Sequence, residues 1–156
     1  MTDIITGWNF VNGVADWVFV RGNAPDANAN PQITFDNDLA TAVLISLFTD
    51  AQATADDARP DANANGPADR RGWWGGAVGS RIWIYTSRAK ATADLPGDVA
   101  AAASDALPWR IDDGVATSSD TAAAYVAPGQ LVLTVTVHRG NAPSLALQYA
   151  NFWNAA

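Results

Sequence analysis

The chain has no cysteine among its 156 residues. A disulfide framework, a thiolate nucleophile and a cysteine-ligated zinc site are therefore excluded, and the fold does not depend on an oxidising compartment. There is a single histidine, His138. It stands at the end of a predicted strand beside Arg139, with no partner spaced for a catalytic triad or a metal site, so a surface histidine is expected. Asp36-Asn37-Asp38 lacks the remaining ligand positions and the terminal glutamate of a calcium loop. No metal and no cofactor are expected. The start, Met1-Thr2-Asp3-Ile4-Ile5, lacks the basic opening and apolar core of a secretion signal, and no apolar run approaches the ~20 residues needed to span a bilayer. Positive charge is scarce as well: 9 Lys and Arg against 16 Asp and Glu give a formal net charge of -7. Such a chain repels phosphate backbones and cannot gain the counterion release that drives their binding, which argues against nucleic acid as a partner.

What is present is 49% hydrophobic sequence, enough to bury a core without staples, and a single domain over residues 1–156 is expected. Seven tryptophans exceed what packing alone requires. Amphipathic rings of this kind suit surfaces that become buried in assemblies, which favours an interaction protein.

Asp16-Trp17-Val18-Phe19-Val20 alternates as a strand, and Arg21 to Pro25 supplies turn formers for an edge hairpin. Asp26 to Pro31 reads as a loop. Asp36-Asn37-Asp38 offers cap side chains for a mostly buried helix over Leu39 to Phe48. From about 49 to 79 the chain is polar and alanine-rich, interrupted by Pro60 and Pro67, and reads as one long loop. The pentapeptide Asp26 to Asn30 recurs at Asp61 to Asn65, and Arg21 to Pro25 recurs at Arg139 to Pro143; the spacing is too irregular for a solenoid. Ser80 to Tyr85 fits a strand or a short helix. Thr92 is a candidate cap for a helix running to about Trp109, with Pro96 in its first turn and Pro108 near its end. Asp112-Asp113-Gly114 turns the chain into strand-like stretches at Val115 to Thr117 with Ala122 to Val126, Gln130 to His138, and Ser144 to Phe152, joined at Pro128-Gly129 and Gly140-Asn141. Helices early and strands late predict an α+β fold: a small antiparallel sheet with two or three helices packed on one face and a long central loop.

Inside that loop, Asp69-Arg70-Arg71-Gly72-Trp73-Trp74-Gly75 sets two guanidinium groups against two adjacent indoles between glycines. Trp and Arg dominate interface energetics, so the segment reads as a docking element whose arginines pair carboxylates or stack on aromatic rings. The competing reading is an internal plug in which both indoles cap this chain's own core, and Asp69 simply orients Arg71. Adjacent residues in extended backbone point opposite ways, so one of Trp73 and Trp74 is expected to face outward and the other inward. Arg81 and Trp83 are read in the same way, and Trp83 is assigned to the core. An enzyme reading uses Asp56, Asp57, Asp61 and Asp69 as paired acids of a glycosidase with the indoles as a sugar platform. Clustered aspartates in a loop are usually solvated, however, and the chain is not expected to be an enzyme. A carbohydrate- or receptor-binding module that stacks sugar rings on Trp73 and Trp74 is the alternative to a protein-docking role.

Thr41-Ala42-Val43-Leu44-Ile45-Ser46-Leu47-Phe48-Thr49-Asp50, Asp56-Asp57, Pro60-Asp61, the heptapeptide, Gly79-Ser80-Arg81-Ile82-Trp83-Ile84 with Arg88, Ala89 and Lys90, and Ala106-Leu107, Trp109 and Asp112 to Ala116 resemble the small baseplate-wedge proteins of Mu-like contractile-tailed phages. That family is related to the sheath-initiator proteins of other contractile tails. The sequence departs from the family in its alanine tract, Ala100 to Ala103, and in Gly76 where an acidic residue is expected. The resemblance implies a structural virion component at the tube-baseplate junction, assembled in the host cytoplasm, with larger wedge proteins, tail sheath and hub or tube subunits as partners and no membrane or nucleic-acid partner. It implies an interface made of Arg70, Arg71, Trp73, Trp74, Arg81 and Trp153. By analogy with strand exchange in sheath initiators, Leu131 to Val137 and the last strand ending near Trp153 would offer an edge for β-augmentation.

Overall fold

The computed structural model describes residues 6–9, 13–17, 19–20, 32–33, 38–58, 70–73, 76, 78–87 and 91–154. The turn predicted at Arg21 to Pro25, the loop at 26–31, Asp36-Asn37, Pro60, Asp61, Pro67, Asp69, Trp74-Gly75 and Arg88 to Lys90 lie outside them. The predicted α+β architecture is present. Four short strands come first, β1 (Thr6–Asn9), β2 (Val14–Trp17), β3 (Phe19–Val20) and β4 (Gln32–Ile33). Helix α1 (Asp38–Phe48) follows, then α2 (Ile82–Thr86), α3 (Leu95–Asp105) and α4 (Trp109–Asp112). Strands β5 (Ser118–Ala127), β6 (Gln130–Arg139) and β7 (Ala142–Asn154) complete the order.

The three long strands form an antiparallel meander in the order β5-β6-β7. Its register stacks Ala123, Leu133 and Tyr149 in one row and Thr121, Val135 and Leu147 in the next. Because side chains alternate along a strand, Leu131, Leu133, Val135 and Val137 all reach the same face, where each is fully buried. Leu39, Val43, Leu44 and Leu47 of α1, and Leu95, Val99, Ala102 and Ala103 of α3, recur at helical spacing and enter the same core. The small residues of α3 let it approach β5 closely, and the Thr121 hydroxyl donates to the Ala100 carbonyl at 3.1 Å. A second aromatic group joins the N-terminal hairpin to the core. Trp8 stacks on Phe48 at 4.6 Å between ring centroids, meets Tyr149 edge-on at 5.4 Å, and donates its indole N–H to the Ala150 carbonyl at 2.7 Å.

Four expectations are corrected. Asp16 to Val20 is not one strand: β2 pairs with β1, whereas β3 pairs with β4 in a separate sheet. The helix expected from Thr92 to Trp109 is two helices. Asp94 takes the cap position of α3, and Pro108 disfavours helical backbone at Leu107, so the chain restarts as α4. Val115 to Thr117 is not a strand: the amides of Val115 and Ala116 both donate to the Arg110 carbonyl at 2.9 Å, and the chain joins the sheet at Ser118. Finally, β6 is the central strand and pairs on both sides, so Leu131 to Val137 offers no free edge.

Candidate functional site

The described ends of the 49–79 segment meet at one junction. The Thr49 carbonyl accepts the Ser80 amide at 2.9 Å, and the Ala51 amide donates to the Ser80 carbonyl at 2.9 Å, forming a parallel bridge. The buried Ser80 hydroxyl donates to the Leu47 carbonyl, satisfying one of the orphan acceptors at the end of α1. The same oxygen accepts the Ile82 amide at 3.2 Å, where α2 starts. Glycine is needed beside it: Gly79 has φ +108°, and a Cβ there would overlap the Thr49 carbonyl.

The described part of the heptapeptide, residues 70–73, is fastened onto this junction by its own arginines. Arg70 donates through Nε to the Ala53 carbonyl at 2.6 Å, and its carbonyl accepts the Ala53 amide at 3.0 Å. Arg71 adopts a left-handed backbone, φ 52°, a conformation that costs a non-glycine residue about 1–2 kcal/mol. Its guanidinium offsets that cost by reaching Asp50 at 3.0 Å while lying 4.5 Å from the Trp83 ring centroid. Trp83 is itself fixed, buried in α2 with Nε1 donating to the Ala51 carbonyl at 2.9 Å. Gly72 follows at φ +105°, where a Cβ would stand 2.8 Å from the Gln52 Cβ and 2.9 Å from its backbone. Two consecutive left-handed residues turn the chain so that Trp73 leaves the core with 50% of its surface exposed. A cavity of about 710 Å³ lies beside it, lined by Gln52, Arg71, Gly72, Trp73 and Val78 among others.

Arg81 holds a second tie. Its guanidinium contacts Asp57 at 3.2 Å and Asp105, at the end of α3, at 2.8 Å. Burial pulls the Arg81 pKa down, but the two carboxylates outweigh it and hold the group above its ordinary value. Burial likewise pushes Asp57 up, and this is outweighed by hydrogen bonds from Thr54, whose amide donates at 2.6 Å, and by Arg81, so its carboxyl titrates below the usual range. A lowered pKa is the opposite of what a glycosidase general acid uses.

The structure thus brings Arg70, Arg71 and Trp73 together and links Arg81 to them through the 50–57 segment. Trp153 is elsewhere: it is buried at 4% exposure, with its ring 6.2 Å from Tyr125 in the core. Trp74 lies outside the described residues. Asp50, Gln52, Ala53 and Asp105 were not singled out as site residues. Asp50 did stand within a matching stretch, the one signal that pointed to it, whereas Asp57 stood both in a matching stretch and among the carboxylates of the enzyme reading. Trp83 occupies the core as assigned, though from a helix. The His138 side chain is 39% exposed and has partners that chain spacing does not reveal: Nε2 pairs with Asp120 at 2.8 Å and Nδ1 with Ser144 at 3.1 Å. Strand register brings these together across the sheet. The Asp120 side chain is 80% exposed, unlike the buried carboxylate of a catalytic triad. Among the described residues no cluster of three His, Cys, Asp or Glu is arranged to hold a metal ion.

A family profile described as Phage protein GP46 matches residues 39–144, which contain α1, the fastened loop and most of the sheet. The baseplate protein gp46 of Escherichia phage Mu is 34% identical over 125 residues, covering 77% of this chain and 83% of that protein. The Mu-like prophage FluMu protein gp46 of Haemophilus influenzae is 31% identical over 143 residues, covering 88% of this chain and 87% of that protein. With a match of this extent running through the junction, the arginine clip and the meander, the chain belongs to the Phage protein GP46 family.

Proposed function

We propose that the chain is a structural subunit of a phage tail baseplate: a wedge component at the tube-baseplate junction of a contractile tail that docks onto larger wedge proteins and serves as a platform for sheath assembly. The observation that carries this is the half-exposed Trp73 on a loop held by the chain's own atoms. An indole presented on a preorganised support loses little conformational freedom on binding, which is the usual character of an energetically dominant interface residue. Both arginines beside it have intramolecular roles, so Trp73 is the contact and Arg70 and Arg71 position it. The baseplate name of the phage Mu relative supports the setting. For the sheath platform, β5 and β7 are the strands of the three-stranded sheet whose outer side has no paired strand among the described residues.

The test is replacement of Trp73 by alanine. The variant is expected to be soluble and folded by circular dichroism, yet to yield particles without complete baseplates or sheaths in electron micrographs. Normal contractile particles would reject the docking role. Binding of a glycan by the wild-type chain, lost on the same replacement, would favour the carbohydrate-binding alternative instead.

A further inference from the structure

A second surface lies on the other side of Val78. Between α1 and α4 runs an apolar groove of about 370 Å³ lined by Ala42, Ile45, Ser46, Val78, Ala106 and Trp109. Ile45 is 47% exposed and Val78 43% exposed, although both are aliphatic. The polar groups of the lining are already engaged with each other: the Trp109 indole N–H donates to the Ser46 hydroxyl at 3.1 Å, and that hydroxyl donates to the Ala42 carbonyl at 2.8 Å. A polar ligand would find few unused donors there, whereas an apolar side chain would remove exposed hydrocarbon from water.

Two acidic residues follow the groove's Trp109 along the chain. Asp112 and Asp113 follow Trp109 by three and four residues through α4 and its C-cap, so helical spacing sets them on the same side as the indole. Both are exposed, and neither forms an ion pair among the described residues. The described arginines cannot neutralise them. Arg70, Arg71 and Arg81 are held as described above, Arg139 donates to the Pro143 carbonyl at 2.9 and 2.6 Å, and Arg110 is buried against Ser119. The formal net charge of -7 points the same way.

We infer that this groove receives a segment of another baseplate protein that inserts a large apolar side chain between Ile45 and Trp109 and sets a lysine or arginine against Asp112 and Asp113. The inference rests on the reading of the chain as a baseplate subunit and adds the chemistry of one partner. Apolar insertion supplies affinity, and the acidic pair selects and orients a basic segment over the many acidic surfaces it would otherwise meet.

The experiment places a benzophenone photo-crosslinker at position 45 in particles that carry the full chain, with a second one at position 73 as reference. Crosslinked peptides are identified by mass spectrometry. The expected product joins position 45 to a peptide of a different protein with a lysine or arginine near the captured residue. The double variant Asp112→Lys, Asp113→Lys, whose sites are exposed and do not threaten the core, should lower that product about ten-fold or more while the position 73 product persists. Capture of an acidic peptide, capture of a second copy of this chain, an unchanged yield in the double variant, or no product from position 45 in particles that contain the chain would each overturn the inference and leave the baseplate reading standing. Absence of the chain from purified tails would instead defeat the baseplate reading, and the inference with it.

Discussion

Replacing Arg71 by methionine removes its ion pair with Asp50 and its contact with the Trp83 ring, and tests whether the clip holds Trp73 in place. The Arg71–Asp50 pair spans 3.0 Å, but the two side chains are 35% and 43% exposed, so solvent screening limits it to about 0–1 kcal/mol. The guanidinium also covers the ring of the buried Trp83 at 4.5 Å, a contact of about 0.5–1 kcal/mol at a partly solvated site. Methionine keeps the apolar stem but restores neither term, and the left-handed backbone at φ 52° loses its compensation. The sum is a destabilisation of about 0.5–2 kcal/mol, or about 1–8 °C in Tm for a domain of this size. Thermal denaturation followed by circular dichroism measures it. Amide hydrogen exchange locates it, because Ala53 and Ser80 donate the hydrogen bonds that close the loop and should exchange faster. Arg71→Lys, which keeps the charge and loses the flat face, should fall between the two. A methionine variant that melts within about 1 °C of the wild type, with unchanged exchange at Ala53 and Ser80, would refute the clip.

Gly79→Ala forces a Cβ onto the Thr49 carbonyl at φ +108°, and a loss of at least about 2 kcal/mol in urea denaturation is expected. Tyr149 is buried against Trp8 and Phe48, and burial raises its pKa well above the ordinary tyrosine value. A raised folded-state pKa in an acid means that stability is fully present below the unfolded value of about 10 and is lost as pH rises through it towards the folded value. Urea midpoints should therefore decline between about pH 9 and about pH 11, and Tyr149→Phe should flatten that decline; an equal slope in both proteins would contradict it. Arg110 is 1% exposed, with Nε and Nη1 lacking hydrogen-bond partners among the described residues. Arg110→Met should leave stability unchanged or raise it by up to about 2 kcal/mol, and a clear loss in denaturant midpoint would show that the guanidinium contributes more than its contact with Ser119.

The fold was legible where local pattern and burial coincide. The apolar, β-branched run from Leu131 to Val137 identified β6, the periodicity of Leu39 to Phe48 identified α1, and Pro128-Gly129 and Gly140-Asn141 marked the turns of the meander. Strand order was less accessible, because alternation does not say which strand is central, and β6 was taken for an edge. The split between α3 and α4 was foreshadowed by Pro108 but depended on how far its effect reached. At the site, composition found the heptapeptide and the resemblance found its setting, yet the duties of the arginines stayed hidden. Arg70 meets Ala53 across 17 residues, Arg71 meets Asp50 across 21, and Arg81 meets Asp57 across 24, separations that leave no local trace. The same is true of His138, whose contact with Asp120 exists only through the register of β5 on β6.

A cryo-electron microscopy reconstruction of the assembled baseplate tests the central claim most directly. The chain is predicted to occupy the baseplate with the Trp73 indole, half exposed in the isolated subunit, buried against a different protein while Arg71 keeps its place over Trp83. A reconstruction that leaves Trp73 in solvent, or that contains no density for this chain, would contradict it.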